Sequence, residues 1–204
     1  MNVYPHVKRC ADAALSLAAL VCLSPVFALI AAAVKLSSPG PVLFRQQRAG
    51  RGGRLFTIYK FRTMRTDTPR DTATHLLNDP GRYITPVGAF LRRSSLDELP
   101  QFFNVLKGDM SIVGPRPALY NQYDLIAARE AAGVNAVRPG ITGWAQINGR
   151  DELPVAEKVR FDREYVENLS LRMDMRCFFG SFIAVLRADG VREGSSETEG
   201  KRRA

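Results

Sequence analysis

Histidine, cysteine and, early in the chain, acidic residues are scarce, and each scarcity excludes something. Only His6 and His75 are present and no Cys-x-x-Cys occurs, so no zinc-ligand set can be assembled. Three cysteines (Cys10, Cys22, Cys177) in 204 residues cannot make a disulfide scaffold, and unpaired they suit the cytosolic side of a membrane. Among residues 1–66 Asp12 is the only acid against ten lysines and arginines, whereas residues 67–204 hold nineteen of each sign. The whole net charge of +9 therefore sits in the first third, and an anionic neighbour is expected there: nucleic acid, a membrane surface or a phosphorylated substrate. No internal repeat and no dividing linker is visible. At 46% hydrophobic the chain is not disordered, and it can bury one core without staples.

What is present begins with residues 13–34, which are uncharged and polar only at Ser16 and Ser24. As one helix they would extend ~33 Å, against a hydrocarbon core of ~30 Å. Ten strong apolar residues favour membrane insertion by about 3–6 kcal/mol. Three arrangements are open. Lys8-Arg9 ahead of a run ending in Ala31-Ala32-Ala33 resembles a cleaved signal peptide, although the run is long and interrupted. A straight span is the ordinary alternative. A re-entrant hairpin is the third, because Pro25 at the midpoint removes a helical N–H and clashes four residues back, where Ser24 can take up the released carbonyl. Basic flanks on both sides (Lys8, Arg9; Lys35, Arg45, Arg48) ask both ends to stay cytoplasmic, which a single crossing cannot satisfy.

Beyond the Ser37-Ser38-Pro39-Gly40-Pro41 stop, residues 42–47 and 55–61 predict a hairpin around Gly50, Gly52 and Gly53, with no Walker-type Gly-Lys-Ser/Thr following. Residues 66–82 read as a long polar loop containing His75. Helices are predicted over 87–93, from near Ser95 to a stop at Gly108 with Leu99, Phe102, Phe103 and Leu106 as the apolar stripe, and over 119–132, 154–169 and 170–188. In the last, residues 177–186 are too few to span a bilayer and belong either to a core helix or to an interfacial one.

The stretch Ser94-Ser95-Leu96-Asp97-Glu98-Leu99-Pro100 is the most informative. It can be read as a capping box, Ser95-x-x-Glu98, with acids in a helix first turn. Against that, Pro100 lies beyond the position where proline is tolerated, so the helix start is irregular, and Arg92-Arg93 sit just ahead. Adjacent carboxylates point about 100° apart, so they suit a nucleophile or metal ligand plus a supporting group rather than a facing acid–base pair. Gly114-Pro115-Arg116-Pro117 presents an arginine on a rigid turn, whether for phosphate or simply at the surface. Arg138, Gln146, Asn148 and Arg150, in a glycine-rich run holding the only tryptophan, offer amides to a base edge and cations to phosphate. Lys60 and Arg62 complete the basic set.

Taken in order, KFRTM (60–64), LRRSSLDELPQFFNVLKGDMSIVGPRP (91–117), RPGITGWAQINGR (138–150) and FDREYVENLSLRMDM (161–175) resemble the bacterial sugar transferases, the monotopic polyprenol-phosphate phosphoglycosyl transferases. The resemblance runs from about residue 8 to 191, and the extra membrane helices of large members are missing, which implies a minimal form. It implies transfer of a sugar-1-phosphate from a UDP-sugar to undecaprenyl phosphate, starting glycan assembly (exopolysaccharide, O-antigen, capsule or glycoprotein). Asp97 would be the nucleophile that carries a covalent phosphosugar, Glu98 its partner, and Mg2+ would sit at both. Ser24-Pro25 would break a re-entrant helix. On this reading Arg92, Arg116, Lys60 and Arg62 bind substrate phosphate, and Arg138, Gln146, Asn148 and Arg150 bind the nucleotide.

The expected architecture is α+β: a membrane-embedded helix-break-helix over 1–36, a cytoplasmic catalytic domain over 37–191 built from a small β-hairpin and short or amphipathic helices, and a flexible tail over 192–204. Its place would be the cytoplasmic face of the bacterial inner membrane. The expected partners are UDP-sugar, undecaprenyl phosphate and membrane lipids, with a homodimer admitted and nucleic acid not. Two rivals have distinct signatures. A tethered nucleic-acid binder would use Phe44, Phe56, Tyr59 and Phe61 between the hairpin arginines as a stacking platform. A scaffold protein would leave Asp97-Glu98 as a mere cap.

Overall fold

A computed structural model describes residues 3–69, 80–149 and 153–186. His75, Arg150 and the 192–204 tail lie outside the described residues, as does most of the polar loop.

Two helices open the chain, α1 (Tyr4–Cys22) and α2 (Ser24–Ser37), meeting at Leu23 with a bend of 63°. The cause is local: Pro25 cannot donate to the Val21 carbonyl four residues before it, and Ser24 Oγ donates to that carbonyl instead at 2.8 Å. Among the described residues no single helix is long and apolar enough to cross a membrane, while the bent pair qualifies together by length and composition. Helix α1 is inverted relative to a soluble amphipathic helix. Its buried residues are Asp12 and Ser16, and Leu15, Leu17 and Val21 are exposed. The polar face docks on the remainder: Asp12 Oδ2 accepts from Ser111 Oγ at 2.6 Å, and Arg9 donates to the Val105 and Leu106 carbonyls at 2.6 and 2.9 Å.

Strands β1 (Leu43–Ala49) and β2 (Leu55–Phe61) form the expected antiparallel hairpin, registered from Leu43 opposite Phe61 to Ala49 opposite Leu55. Residues of β2 serve two cores: Phe61 packs with Ile30, Val34 and Leu91, and Phe56 and Ile58 pack with Val105 and Met110. The stacking-platform reading fails here, because Phe56 and Phe61 are core residues and are not offered to solvent.

Helix α3 (Pro86–Arg93) is capped by Thr85, whose Oγ1 accepts from Gly88 N at 2.9 Å. Helix α4 (Gln101–Lys107) ends at Gly108, whose φ of 97° makes the predicted stop. Its buried face is Gln101, Asn104 and Val105, not the expected apolar stripe; Phe103 is exposed. Asn104 explains the inversion. Its Oδ1 accepts from Tyr59 N at 3.0 Å and its Nδ2 donates to Thr57 O at 2.7 Å, so one side chain pairs with the β2 edge as a strand would.

Strand β3 (Ser111–Val113) pairs in parallel with β4 (Gly140–Thr142), a pairing the sequence did not announce. Between them runs α5 (Tyr123–Ala131), shorter at its start than the predicted 119–132. The short α6 (Trp144–Ile147), then α7 (Val155–Glu167) and α8 (Leu171–Leu186), complete the fold, the last two close to their predicted limits. Val113, Tyr165, Met173 and Cys177 make the third core, so α8 buries one side. Its other side, with Phe179, Phe182 and Ile183, is exposed.

Candidate active site

The site forms where α3 fails to run on into α4. Ser95 takes φ 56°, the one positive value at a non-glycine among the described residues, at a cost of about 1–3 kcal/mol. This reverses the chain into a single tight turn, Leu96–Glu98, and Pro100 then precedes α4. The capping box is therefore not made: the Ser95 side chain caps nothing, and the helix starts at Gln101, six residues later than expected. The irregular start foreseen from Pro100 is what forms.

Released from capping, Glu98 meets two cations. Lys60 Nζ lies 2.6 Å and Arg116 Nη2 2.9 Å from the same oxygen, Oε1, and the carboxylate is only 16% exposed. Burial alone would raise its pKa, but Arg116 and Lys60 outweigh it and hold Glu98 well below the usual carboxylate range. Asn104 makes this meeting happen, because pinning α4 to Thr57 and Tyr59 brings the turn beside Lys60.

Asp97 differs from its neighbour in every respect. It is buried, and no hydrogen bond to its carboxylate is formed among the described residues. Burial raises its pKa, the Glu98 charge adds to this, and Lys60, Arg92 and Arg116 oppose it. Two adjacent carboxylates thus have pKa values driven apart by their surroundings, Glu98 downward and Asp97 upward. As a metal site the donor set fits only a hard cation. Among the described residues no three His, Cys, Asp or Glu side chains gather. Magnesium usually takes one or two carboxylates and fills its other positions with water and phosphate, which suits Asp97 and Glu98.

The other sequence candidates divide. Lys60, Arg92 and Arg116 converge on the two carboxylates. Arg62 does not: it is buried, and its guanidinium donates to the Pro39 and Ser38 carbonyls at 2.7 and 2.8 Å, closing the end of α2. Its assignment to substrate phosphate is corrected to a structural one, because Arg62 lies just past the end of β2, where the carbonyls after α2 take up its guanidinium, while Lys60 stays within the strand and reaches Glu98. Arg138 donates to Gly108 O at 2.8 Å, beyond α4, near Arg9 and Arg51. Among the described residues Gln146 keeps both amide atoms buried without a partner, as does Trp144 Nε1, while Asn148 is exposed and donates to Trp144 O. The predicted nucleotide set is thus not one cluster: Arg138 is tied to the α4 end and Gln146 lies on α6.

Three contributors escaped sequence reasoning: Asn104, Arg129 and Asp162. Each stands in a helix where a polar residue reads as solvated, and each is buried. Arg129 forks onto Asp162 Oδ2 at 2.9 and 2.6 Å and reaches the Arg116 carbonyl at 2.7 Å.

A mixed domain with a bent apolar helix pair and a carboxylate pair in a nest of cations defines a class that handles anionic ligands. Within that class the chain belongs to the bacterial sugar transferase family, whose model matches residues 3–188. The chain is 44% identical over 192 residues to the UDP-glucose:undecaprenyl-phosphate glucose-1-phosphate transferase of Xanthomonas campestris pv. campestris, covering 91% of this chain and 40% of that protein. It is 39% identical over 199 residues to the UDP-N-acetylgalactosamine-undecaprenyl-phosphate N-acetylgalactosaminephosphotransferase of Aeromonas hydrophila, covering 93% of this chain and 46% of that one. The uncharacterized sugar transferase EpsL of Bacillus subtilis (strain 168) is 42% identical over 192 residues, matched over 94% of this chain and 93% of its own length. The chain therefore spans less than half of the two relatives whose names state a reaction.

Proposed function

We propose that this chain is a phosphoglycosyl transferase that moves a sugar-1-phosphate from a UDP-sugar to undecaprenyl phosphate, opening the membrane stage of glycan assembly. The observation that carries the reading is Asp97: a buried carboxylate with no hydrogen-bond donor among the described residues, flanked by Lys60, Arg92, Arg116 and an anionic Glu98. The names of relatives at 39–44% identity supply the substrate classes, and because they name different sugars they leave the sugar open.

In the proposed chemistry an Asp97 oxygen attacks the sugar-bearing phosphorus of the UDP-sugar. The bond from that phosphorus to the bridging oxygen breaks, and UMP leaves with the electron pair. An oxygen of undecaprenyl phosphate then attacks the same phosphorus, forming the polyprenyl diphosphosugar and returning Asp97 as a carboxylate. No proton must move in either step, so Glu98 is better suited to holding charge than to acting as base. Lys60 and Arg116 are fixed on Glu98 beside the position of the pyrophosphate, where cations set in advance count for more than in water. Asp97 and Glu98 would hold the magnesium ion, which when bound neutralises phosphate charge.

The bent α1–α2 pair supports a re-entrant placement on the cytoplasmic face of the bacterial inner membrane. Leu15, Leu17, Val21 and Leu29 face outward while Asp12 and Ser16 face the domain. The test is intact-mass analysis of the purified protein with magnesium and a panel of UDP-sugars. A phosphosugar adduct on Asp97, absent in Asp97→Asn, is the expected result; transfer at the wild-type rate by Asp97→Asn would sink the reading.

A further inference from the structure

The loop that carries Arg116 is fastened through four successive carbonyls. Pro115 O accepts from Gly140 N at 2.9 Å, Arg116 O from Arg129 Nη1 at 2.7 Å, Pro117 O from Arg48 Nη1 at 3.0 Å and Ala118 O from Ala49 N at 3.0 Å. Two of these bonds come from neighbouring backbone and follow from the fold. The bond to Arg116 itself is unlike them. Its donor is a guanidinium 6% exposed, reaching in from α5 and fixed at its other two nitrogens by Asp162, which is 0% exposed on α7. Burying a charge pair is costly, and apolar residues of the same volume would hold α5 on α7 at no loss. The pair also has a geometric property that packing lacks: a planar fork spans two acceptors at once and fixes their separation.

We propose that Arg129, oriented by Asp162, is a positioning residue for the transfer reaction, setting the Arg116 main chain so that its guanidinium rests on Glu98. The inference depends on the transferase reading above for its kinetic part only. The line of force is short. Asp162 holds Nε and Nη2 of Arg129, Nη1 holds Arg116 O, and Arg116 Nη2 holds Glu98 Oε1 at 2.9 Å. A lysine at 129 would still neutralise Asp162, but its donors sit on a single nitrogen at the end of a flexible stem, so it cannot hold both acceptors at the separation that the arginine fork fixes.

Arg129→Lys separates the positioning role from folding. The variant is expected to keep its melting temperature within a few degrees of wild type while the turnover number for transfer falls about 10- to 100-fold, the scale of a misplaced catalytic group. In an Arg116→Ala background the same change should cost nothing further, because its only route to the chemistry has been removed. An equal loss in both backgrounds overturns the proposal, as does full activity of Arg129→Lys. A crystal structure of Arg129→Lys supplies a readout without activity: displacement of the Arg116 guanidinium from Glu98 supports the proposal, and a contact still at 2.9 Å overturns it. A wild-type protein inactive on every UDP-sugar would instead count against the transferase reading and leave the crystallographic arm to decide.

Discussion

The Tyr4 hydroxyl donates to Asp174 Oδ2 at 2.6 Å, tying the first turn of α1 to the first turn of α8 across 170 positions of chain. Lys8 Nζ reaches the same oxygen at 2.7 Å, and Tyr165 Oη lies 2.7 Å from the other. Asp174 is thus the hub through which the opening helix is joined to the third core.

Removing that hub should be severe. Asp174→Ala leaves Lys8 and two tyrosines facing a void, and breaking a buried pair from one side costs about 3–5 kcal/mol. For a chain of this length that lowers Tm by roughly 10 °C. Differential scanning calorimetry in detergent would show it, and a shift under about 2 °C would mean that the hub carries no load.

Lys60→Met should disable transfer more than it destabilises. Arg116 still pairs with Glu98, but one of the two fixed cations beside the phosphate position is gone, a change worth about 100- to 1,000-fold in turnover. Adding Glu98→Gln relieves the half-paired anion and recovers melting temperature without recovering rate. Recovery of both together would show Lys60 to be structural only.

Cys177 should resist alkylation. Burial pushes its thiol up to about 12, Asp174 adds to this, and Lys8 opposes it. With a folded pKa above the ordinary value of about 8.5, the protein keeps a proton that the unfolded chain sheds. Stability from this group is therefore intact below about pH 8.5 and lost as pH rises toward 12. The iodoacetamide rate at Cys177, followed by peptide mass mapping, should still climb tenfold per pH unit at pH 9–10, where an ordinary thiol levels off. A plateau near pH 8.5 would refute the shift.

Pro25→Ala should straighten the bend. It restores a helical N–H and removes a clash worth about 3 kcal/mol or more, so α1 and α2 gain the option of one continuous span. Maleimide labelling of a cysteine placed ahead of α1, in intact cells, should then become accessible from the periplasmic side in part of the population. Unchanged labelling would mean that docking of α1 on the domain, rather than the proline, sets the topology.

The hairpin and the stop at Gly108 were legible because each rests on local chemistry: period-two patterning for the strands, a left-handed glycine for the stop. Asp97 and Glu98 were singled out by their motif, yet the accompanying cap was misread. The reason is Ser95, whose positive φ no spacing rule anticipates. Arg62 and Lys60 look alike in sequence and are separated by where β2 ends: Lys60 is within the strand and Arg62 just beyond it, against the carbonyls that follow α2. The β3–β4 pair is three residues a side, too short for any period, and depends on glycine: a Cβ on Gly140 would fall 2.1 Å from Gly114 N. Asn104, Arg129 and Asp162 were invisible for a common reason. Arg129 and Asp162 are 33 positions apart, and Asn104 meets partners 45 and 47 positions away, so no local pattern carries them.

The inverted polarity of α1 has a consequence for how the protein is made. With Asp12 and Ser16 turned inward and leucines outward, the helix is comfortable only when protein lies on one side and hydrocarbon on the other. In water alone its outer surface would invite aggregation, and in lipid alone its inner surface would be stranded. On the re-entrant placement proposed above, assembly of the domain and arrival at the bilayer would be one event, and trimming the first helix to obtain a water-soluble protein should yield a body with exposed polar sockets instead.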